Sequence, residues 1–402
     1  MRKPGLGTFL LLCLSLIPAG CATTPTEAPV VRVRILADQD RLTLAATTPP
    51  AVKSAQDPNW VRIGLPSTGG AILTRSATGW QIGNASFNDG ELLLQPAIPG
   101  SLSVNGSAYR GRYRLVPTSA NRFDVINDVD VDSYLMSVVS SEMPRDWHPE
   151  AYKAQAIVAR TYALYEVHAG PAGRSFDLHD DQRSQVYGGI SAETARSRSS
   201  VEETSGIVVA FGPRGNEKIF KAYFSSCCGG VGQSAYDAFG DPDIPPLRAK
   251  RVGALCSASP RFNWTISMTK ADLTRRIREW GASHKRPEKD MGMLRSIDIS
   301  GISREGRPVR FVLSDARGIQ YALNGEELRS AINAAANGGP LLSSDFYRPV
   351  ATPDAIQFAD GHGWGHAVGM CQWCAQAMAL KGEPHEQIVR FSYPGAVLVR
   401  AY

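Results

Sequence analysis

The chain lacks three features whose absence narrows what it can be. Its 38 glycines and 26 prolines follow no fixed period, which removes collagen-like and solenoid architectures. Its basic residues are scattered rather than gathered in a run, and the formal charge is only +5, so nucleic acid is not an indicated partner. Its most apolar stretch, residues 6–17, falls short of the roughly 20 apolar residues that a membrane-spanning helix needs. What is present is a globular composition: 43% hydrophobic and 20% charged residues over 402 positions, enough for a full core and two or three subdomains. The mild basic balance suits an anionic polymer such as a cell-wall glycan without selecting one.

Arg2 and Lys3 precede the apolar stretch and Pro18-Ala19-Gly20-Cys21 closes it, which is the arrangement of an export signal over residues 1–21. Small residues directly before a cysteine resemble a bacterial lipoprotein cleavage site, with Cys21 as the lipidated N-terminus. Pro18 departs from the usual Leu at that position, and plain secretion with a free Cys21 is the alternative. Residues 22–30 are Thr/Pro-rich and read as a tether, which favours the lipoprotein. The expected location is the cell envelope, lipid-anchored or periplasmic, with membrane contact through the anchor only.

Residues 31–129 read as a β-rich part. Apolar and polar residues alternate at 31–35 and 60–63, and short β-rich runs follow at 71–73, 92–94, 109–115 and 123–126 between Gly, Asn, Asp and Pro. From Asp130 the period becomes helical: Leu135, Val138 and Val139 recur, Asp130 or Asp132 caps the start, and Pro144 stops the run. Pro149 opens a second helix reaching about His168, on which Lys153 and Arg160 lie seven residues apart on one face, with Gln155 beside them. Strands are expected at 207–211 and 220–224. An inserted α/β lobe then spans 262–350, with helices at 270–280 and 325–335 and a hairpin over 294–313, and it carries no chemical motif. Residues 351–402 return to Gly/His-rich sequence with helices near 372–380 and 386–391. The expected fold class is α+β, with 130–261 as the helical centre and 351–402 completing it.

Three segments carry more polar residues and glycines than packing asks for: YLMSVVSSEMPRDWHPEAYKAQAIVARTYAL at 134–164, FKAYFSSCCGG at 220–230 and GHGWGHAVGMCQWCAQAMA at 361–379. Together they resemble the stage II sporulation protein D (SpoIID/LytB) family. The first follows that family's pattern almost position for position: Tyr-Leu, Val-Val, Glu-Met-Pro, Trp-x-Pro-Glu-Ala, Lys-Ala-Gln-Ala and Ala-Arg-Thr-Tyr-Ala. YRGRYRL at 109–115, SQVYGG at 184–189 and FSYPGAVL at 391–398 extend the likeness over nearly all of residues 31–402. The resemblance implies a protein that cuts peptidoglycan glycan strands or, in some relatives, one that stimulates a cell-wall amidase. A passive glycan-binding module is the third reading.

Glu142 ends an apolar helix, directly before Met143-Pro144 and close to Trp147. A carboxyl against an apolar wall has its pKa raised by desolvation, as a general acid near neutral pH requires. The family's catalytic glutamate falls on this residue; a helix-end glutamate turned to water is the plainer alternative. Ordinary glycosidases use two carboxylates, and Asp146 and Glu150 are near enough in sequence to be the second. A lytic transglycosylase needs only one, which acts as acid and then as base, and Glu150 is more simply explained as compensating the helix dipole. Under the resemblance Lys153 and Arg160, with Gln155 and His366, become substrate-binding candidates, the last framed by Gly363, Gly365 and Gly369. Structural ion pairs are the competing role for Lys153 and Arg160.

Five cysteines remain beyond Cys13 and Cys21. Cys371 and Cys374 replace the family's common Ser and Gly, and form Cys-x-x-Cys at the start of a helix. Some family members bind zinc near the segment that holds Cys227 and Cys228. Cys228, Cys256, Cys371 and Cys374, with Cys227 as the alternate to Cys228, have the ligand count of a tetrahedral structural zinc site. Disulfides, favoured by an oxidising envelope, are the rival.

Overall fold

The computed structural model describes residues 27–66, 69–334, 336 and 341–402. The export signal over residues 1–21, its Cys21, and residues 22–26 of the tether lie outside the described residues. The fold is mixed α+β, with eight α-helices among the described residues.

Alternation builds the first layer. The strand Val30–Gln39 buries Val31, Val33 and Ile35 on one side and runs antiparallel to Arg122–Asp130. That pair lies near one edge of a seven-stranded sheet, which continues through Arg112–Ser119, Leu92–Gln95, Ala51–Ser54 and Val61–Arg62. A six-stranded sheet centred on Arg41–Ala46 and Ala71–Ser76 adds Leu42, Leu44 and Leu73 to the same hydrophobic core.

Where Arg122–Asp130 ends, Asp130 caps α1 (Val131–Glu142): its Oδ1 accepts the Ser133 N–H at 2.8 Å. α1 buries Tyr134, Leu135, Val138 and Val139, and it stops at Met143, whose backbone turns extended ahead of Pro144. α2 (Pro149–Ala169) opens on a proline, at a position where the missing N–H has no helical partner to lose. It is buried along most of its length and forms the pillar of the core. α3 (Ala195–Glu203) packs against both α1 and α2, and the short α4 (Ala235–Phe239) follows.

A second core lies further along the chain. α5 (Lys270–Ser283) and α6 (Gly325–Asn333) pack with two three-stranded sheets around Leu273, Ile277, Trp280, Phe311, Phe346 and Phe358. One sheet joins Leu294–Ile302, Pro308–Asp315 and Gln320–Asn324; the other joins Asn263–Thr269, Ala355–His362 and Asp345–Ala351. Because Asn263–Thr269 pairs with Ala355–His362, this second sheet runs past residue 350 to His362.

The chain then returns to the first core. α7 (Gln372–Ala379) and α8 (His385–Ser392) pack on α2, and the last strand, Val397–Arg400, pairs with Ile207–Phe211. The strand expected at 220–224 is reduced to Phe224–Ser225, which pairs in parallel with Met370–Cys371. The Met370 N–H donates to the Tyr223 carbonyl at 3.0 Å as part of that pairing, and the Tyr393 hydroxyl donates to the same carbonyl at 2.6 Å. This short pairing brings the Cys227-Cys228 segment beside the start of α7.

Candidate functional site

The stop of α1 puts Glu142 on the wall of a groove of about 820 Å³. Its Oε1 accepts the Val186 N–H at 2.9 Å. Burial raises the pKa of its carboxyl above the ordinary value, and the Val186 N–H opposes that shift. The main chain is held as well: Gln372 Nε2 donates to the Glu142 carbonyl at 3.3 Å and to Gln155 Oε1 at 3.4 Å. Gln376 Oε1 accepts the His148 N–H at 2.9 Å, and Trp147 meets Trp373 edge to face at 4.8 Å. α7 therefore clamps the turn between α1 and α2. Glu142 is the only carboxylate among the described residues that line the groove.

Three cations share the wall: Arg183, Lys221 and Arg329. Each is paired behind it, Arg183 with Asp181 at 2.6 Å, Lys221 with Glu166 at 2.9 Å and Arg329 with Glu326 at 2.5 Å. The three acids are not among the residues that line the groove, whereas the three cations are. Tyr223 stacks on Phe239 at 4.6 Å and donates its hydroxyl to Asp241 Oδ2 at 2.8 Å; burial, then that bond, push its pKa up, so it is a phenol. His366 lines the same groove. Its Nδ1 accepts the Val368 N–H at 3.0 Å and burial pushes its pKa down to about 4, which leaves it neutral around pH 7.

α2 points Lys153 and Arg160 elsewhere. Both lie on the face that meets α3. Lys153 Nζ is 2.8 Å from Glu150 Oε1 and 2.7 Å from Glu203 Oε2. Arg160 is fully buried, bonds Asp132 Oδ1 at 2.9 Å and donates to the carbonyls of Ile207 and Val201. Neither lines the groove, so the substrate contacts expected of them give way to structural ion pairs, which a buried guanidinium requires. Gln155 is buried too and reaches the site only through Gln372. Glu142 and His366 are the expected residues that the structure brings together in the groove.

Other wall residues escaped the sequence reading. Lys221 and Tyr223 stand two apart in FKAYFSSCCGG, and that alternation in an extended segment is the available signal. Gln372 lies between the two C-terminal cysteines. Arg329 comes from the lobe with no motif, and no local pattern reveals it.

The cysteine cluster closes beside the groove. The Sγ atoms of Cys228, Cys256, Cys371 and Cys374 all lie within 4.8 Å of one another, with Cys228 3.6 Å from Cys256 and 4.0 Å from Cys374. Disulfides need about 2.05 Å, and these cysteines are free. Four thiolates about 2.3 Å from one zinc ion would stand about 3.8 Å apart, which the two distances bracket. The N–H groups of Cys228 and Cys374 donate to Cys371 Sγ at 3.3 and 3.4 Å. Hydrogen bonds from neighbouring thiols push Cys228 and Cys256 towards the thiolate. The half-buried Lys250 lines the same small cavity. The donor set can hold a metal ion. Cys227, the alternate, is not in it: its Sγ turns to the Cys256 carbonyl at 4.0 Å.

The chain is similar in sequence to several known proteins. The chain is 27% identical over 297 residues to an uncharacterized protein of Brachyspira hyodysenteriae, covering 74% of each. It is 26% identical over 324 residues to the stage II sporulation protein D of Bacillus subtilis, 76% of this chain and 84% of that one. Its match to the amidase enhancer of Bacillus subtilis, 27% over 305 residues, takes in 66% of this chain but only 40% of the enhancer. Residues 119–211 match the sequence model of the family described as Stage II sporulation protein. That span holds α1, α2, Glu142 and Arg183, so the part of the chain that carries the groove carboxylate is the part similar to the stage II sporulation protein family.

Proposed function

We propose that this chain cuts the glycan strands of peptidoglycan as a lytic transglycosylase. The observation that carries the reading is one half-buried carboxyl, Glu142, its pKa raised by desolvation, on the wall of a groove where no second carboxylate stands among the described lining residues. A hydrolase of the ordinary kind needs two. Here the protonated Glu142 gives its proton to the glycosidic oxygen. The resulting carboxylate takes the proton of the C6 hydroxyl of the same N-acetylmuramic acid, whose oxygen closes a 1,6-anhydro ring on C1. That hydroxyl replaces water, so nothing else has to activate a nucleophile. The Val186 N–H stabilises the carboxylate between the two transfers.

The groove cations suit acetamido and lactyl oxygens, and strands stripped of their peptides would bring free lactyl carboxylates to them. His366, neutral and fixed, acts as a hydrogen-bonding wall group rather than a proton carrier. The four-cysteine centre is read as a structural zinc site that ties residues 227–228 and 256 to α7, whose Gln372 holds the Glu142 carbonyl. A zinc ion bound there would supply cross-linking between these segments. The reading includes export and anchoring through Cys21 in the cell envelope, and the names of the relatives support a cell-wall role.

The test is digestion of purified glycan strands followed by mass spectrometry. 1,6-Anhydromuramyl ends are expected from the parent and none from Glu142→Gln. The amidase enhancer relative favours a second reading, in which the chain releases nothing itself but accelerates an added N-acetylmuramoyl-L-alanine amidase. In that case Glu142→Gln leaves the acceleration intact.

A further inference from the structure

The groove has two walls of different origin. Glu142, Tyr162 and Gln372 come from the first core, whereas Arg329 projects from α6 of the second. We propose that Arg329 is a specificity-determining residue that reads a carboxylate carried by the glycan; the inference rests on the groove being the glycan site.

The guanidinium is planar, with two edges that each offer parallel N–H groups. Glu326 occupies one edge: its Oε2 lies 3.1 Å from Arg329 Nε and 2.5 Å from Nη2. Nη1 has no partner among the described residues, so the edge it shares with Nη2 is open. An open edge on a groove wall matches a carboxylate bidentately. The pairing with Glu326 also fixes the direction in which that edge points. Arg329 is the groove cation best placed for such a contact. Its side chain is 29% exposed, against 60% for Arg183, so solvent screens it less. Lys221 is a point charge lying over the rings of Tyr162 and Tyr223.

The platform beneath Arg329 is tied down by hydrogen bonds. Asn333, at the end of α6, pins Leu342 by two hydrogen bonds, Nδ2 to the Leu342 carbonyl at 3.0 Å and the Leu342 N–H to Oδ1 at 2.8 Å. Ser344 then donates to the Gly365 carbonyl at 2.6 Å, and the Gly365 N–H donates to Ser343 at 2.9 Å. α6 is thereby tied to the loop that carries His366, and a recognition group on it keeps its distance from Glu142.

A glycan carboxylate has two sources, the lactyl ether of muramic acid or the end of a stem peptide, and three probes separate them. Full-length chain carrying Glu142→Gln, which prevents turnover, is titrated calorimetrically with chitotetraose, with a muramyl tetrasaccharide whose lactyl carboxylates are free, and with the same tetrasaccharide carrying peptides. Adding Arg329→Gln is expected to weaken the carboxylate-bearing sugar by about tenfold or more and to leave chitotetraose unchanged. Arg329→Lys, which keeps the charge but not the fork, is expected to fall between. A loss confined to the free-lactyl sugar assigns the lactyl source; a loss confined to the peptide-bearing sugar assigns the stem. Equal weakening of all three probes, or of none, overturns the proposal while leaving the groove as a glycan site. Failure of all three to bind before Arg329 is changed overturns both.

Discussion

Replacing Arg307 by methionine tests how the second core is fastened to the first. Arg307 comes from the turn between Leu294–Ile302 and Pro308–Asp315 and is 2% exposed. Its Nη1 donates to the carbonyls of Cys228 at 3.1 Å and Val231 at 2.6 Å, its Nη2 to Ser344 Oγ at 2.9 Å, and its Nε is ion-paired with Asp345. Methionine fills much of the volume but leaves Asp345, 5% exposed, as a buried carboxylate without its ion-pair partner, with Arg329 acting on it only from further off. Breaking one side of a buried pair costs about 3–5 kcal/mol. At about 2–4 °C per kcal/mol for a unit of 150–250 residues, the melting temperature should fall by about 6–20 °C. The pH dependence fixes the cause. Burial raises the pKa of Asp345, Arg307 opposes the rise and Glu326 adds to it, so losing Arg307 raises it further. A folded-state pKa above the unfolded one means that the native state holds the extra proton, so stability is lost as pH climbs through the raised value. The deficit should be full at neutral pH and should shrink towards about pH 4, where unfolded carboxylates also protonate. Thermal unfolding across that range, with Arg307→Met/Asp345→Asn as the variant that recovers part of the loss, measures it. A deficit equal at both pH values, or a shift under about 2 °C, refutes the reasoning.

Purified protein should carry about one zinc per chain with Zn–S distances near 2.3 Å by X-ray absorption. Serine at Cys228, Cys256, Cys371 or Cys374 should lose the metal, whereas Cys227→Ser should keep it; disulfides in non-reducing mass spectra, without zinc, would end that idea. Because the acid must be protonated, kcat/KM on glycan should fall as pH rises through the raised pKa of Glu142, with activity persisting above the pH at which an ordinary glutamate ionises. By the same linkage Glu142→Gln should raise the melting temperature at neutral pH, and the gain should vanish on acidification. Lys153→Met, at a partly exposed pair of contacts, should change stability by about 1 kcal/mol or less and leave glycan affinity alone. Arg160→Met should cost about 3–5 kcal/mol in denaturant unfolding, since it removes the cation from Asp132, which keeps only its Ser205 and Tyr402 hydroxyl donors, and the guanidinium donors from two carbonyls.

Periodicity reports which residues share a face and is silent on what that face meets. Lys153 and Arg160 do share one, as their spacing predicts, but it abuts α3. Gln155 and Tyr162 have the same seven-residue spacing on α2 and lie towards Gln372 and the groove. Polar type drew attention to the first pair, although a buried cation is more in need of partners inside the protein than free to serve a ligand. Neighbouring cysteines show the same limit at shorter range. In an extended segment successive side chains point to opposite sides, so only one of Cys227 and Cys228 could join the cluster, and nothing local says which. In the fold Cys227 pairs with Trp364 and its Sγ turns to the Cys256 carbonyl, while Cys228 faces the other three thiols. Glycine marks the place where the pairing of Phe224–Ser225 with Met370–Cys371 is possible: Gly369 has φ +71, and a Cβ there would stand 2.0 Å from the Tyr223 carbonyl. The motif around Glu142 was legible because its determinants, a capped apolar helix, a proline stop and a following helix, lie within thirty residues of one another. The far wall of the groove was not, because Arg329 acquires its role only when two separately packed cores meet, and contact between cores leaves no period in either sequence.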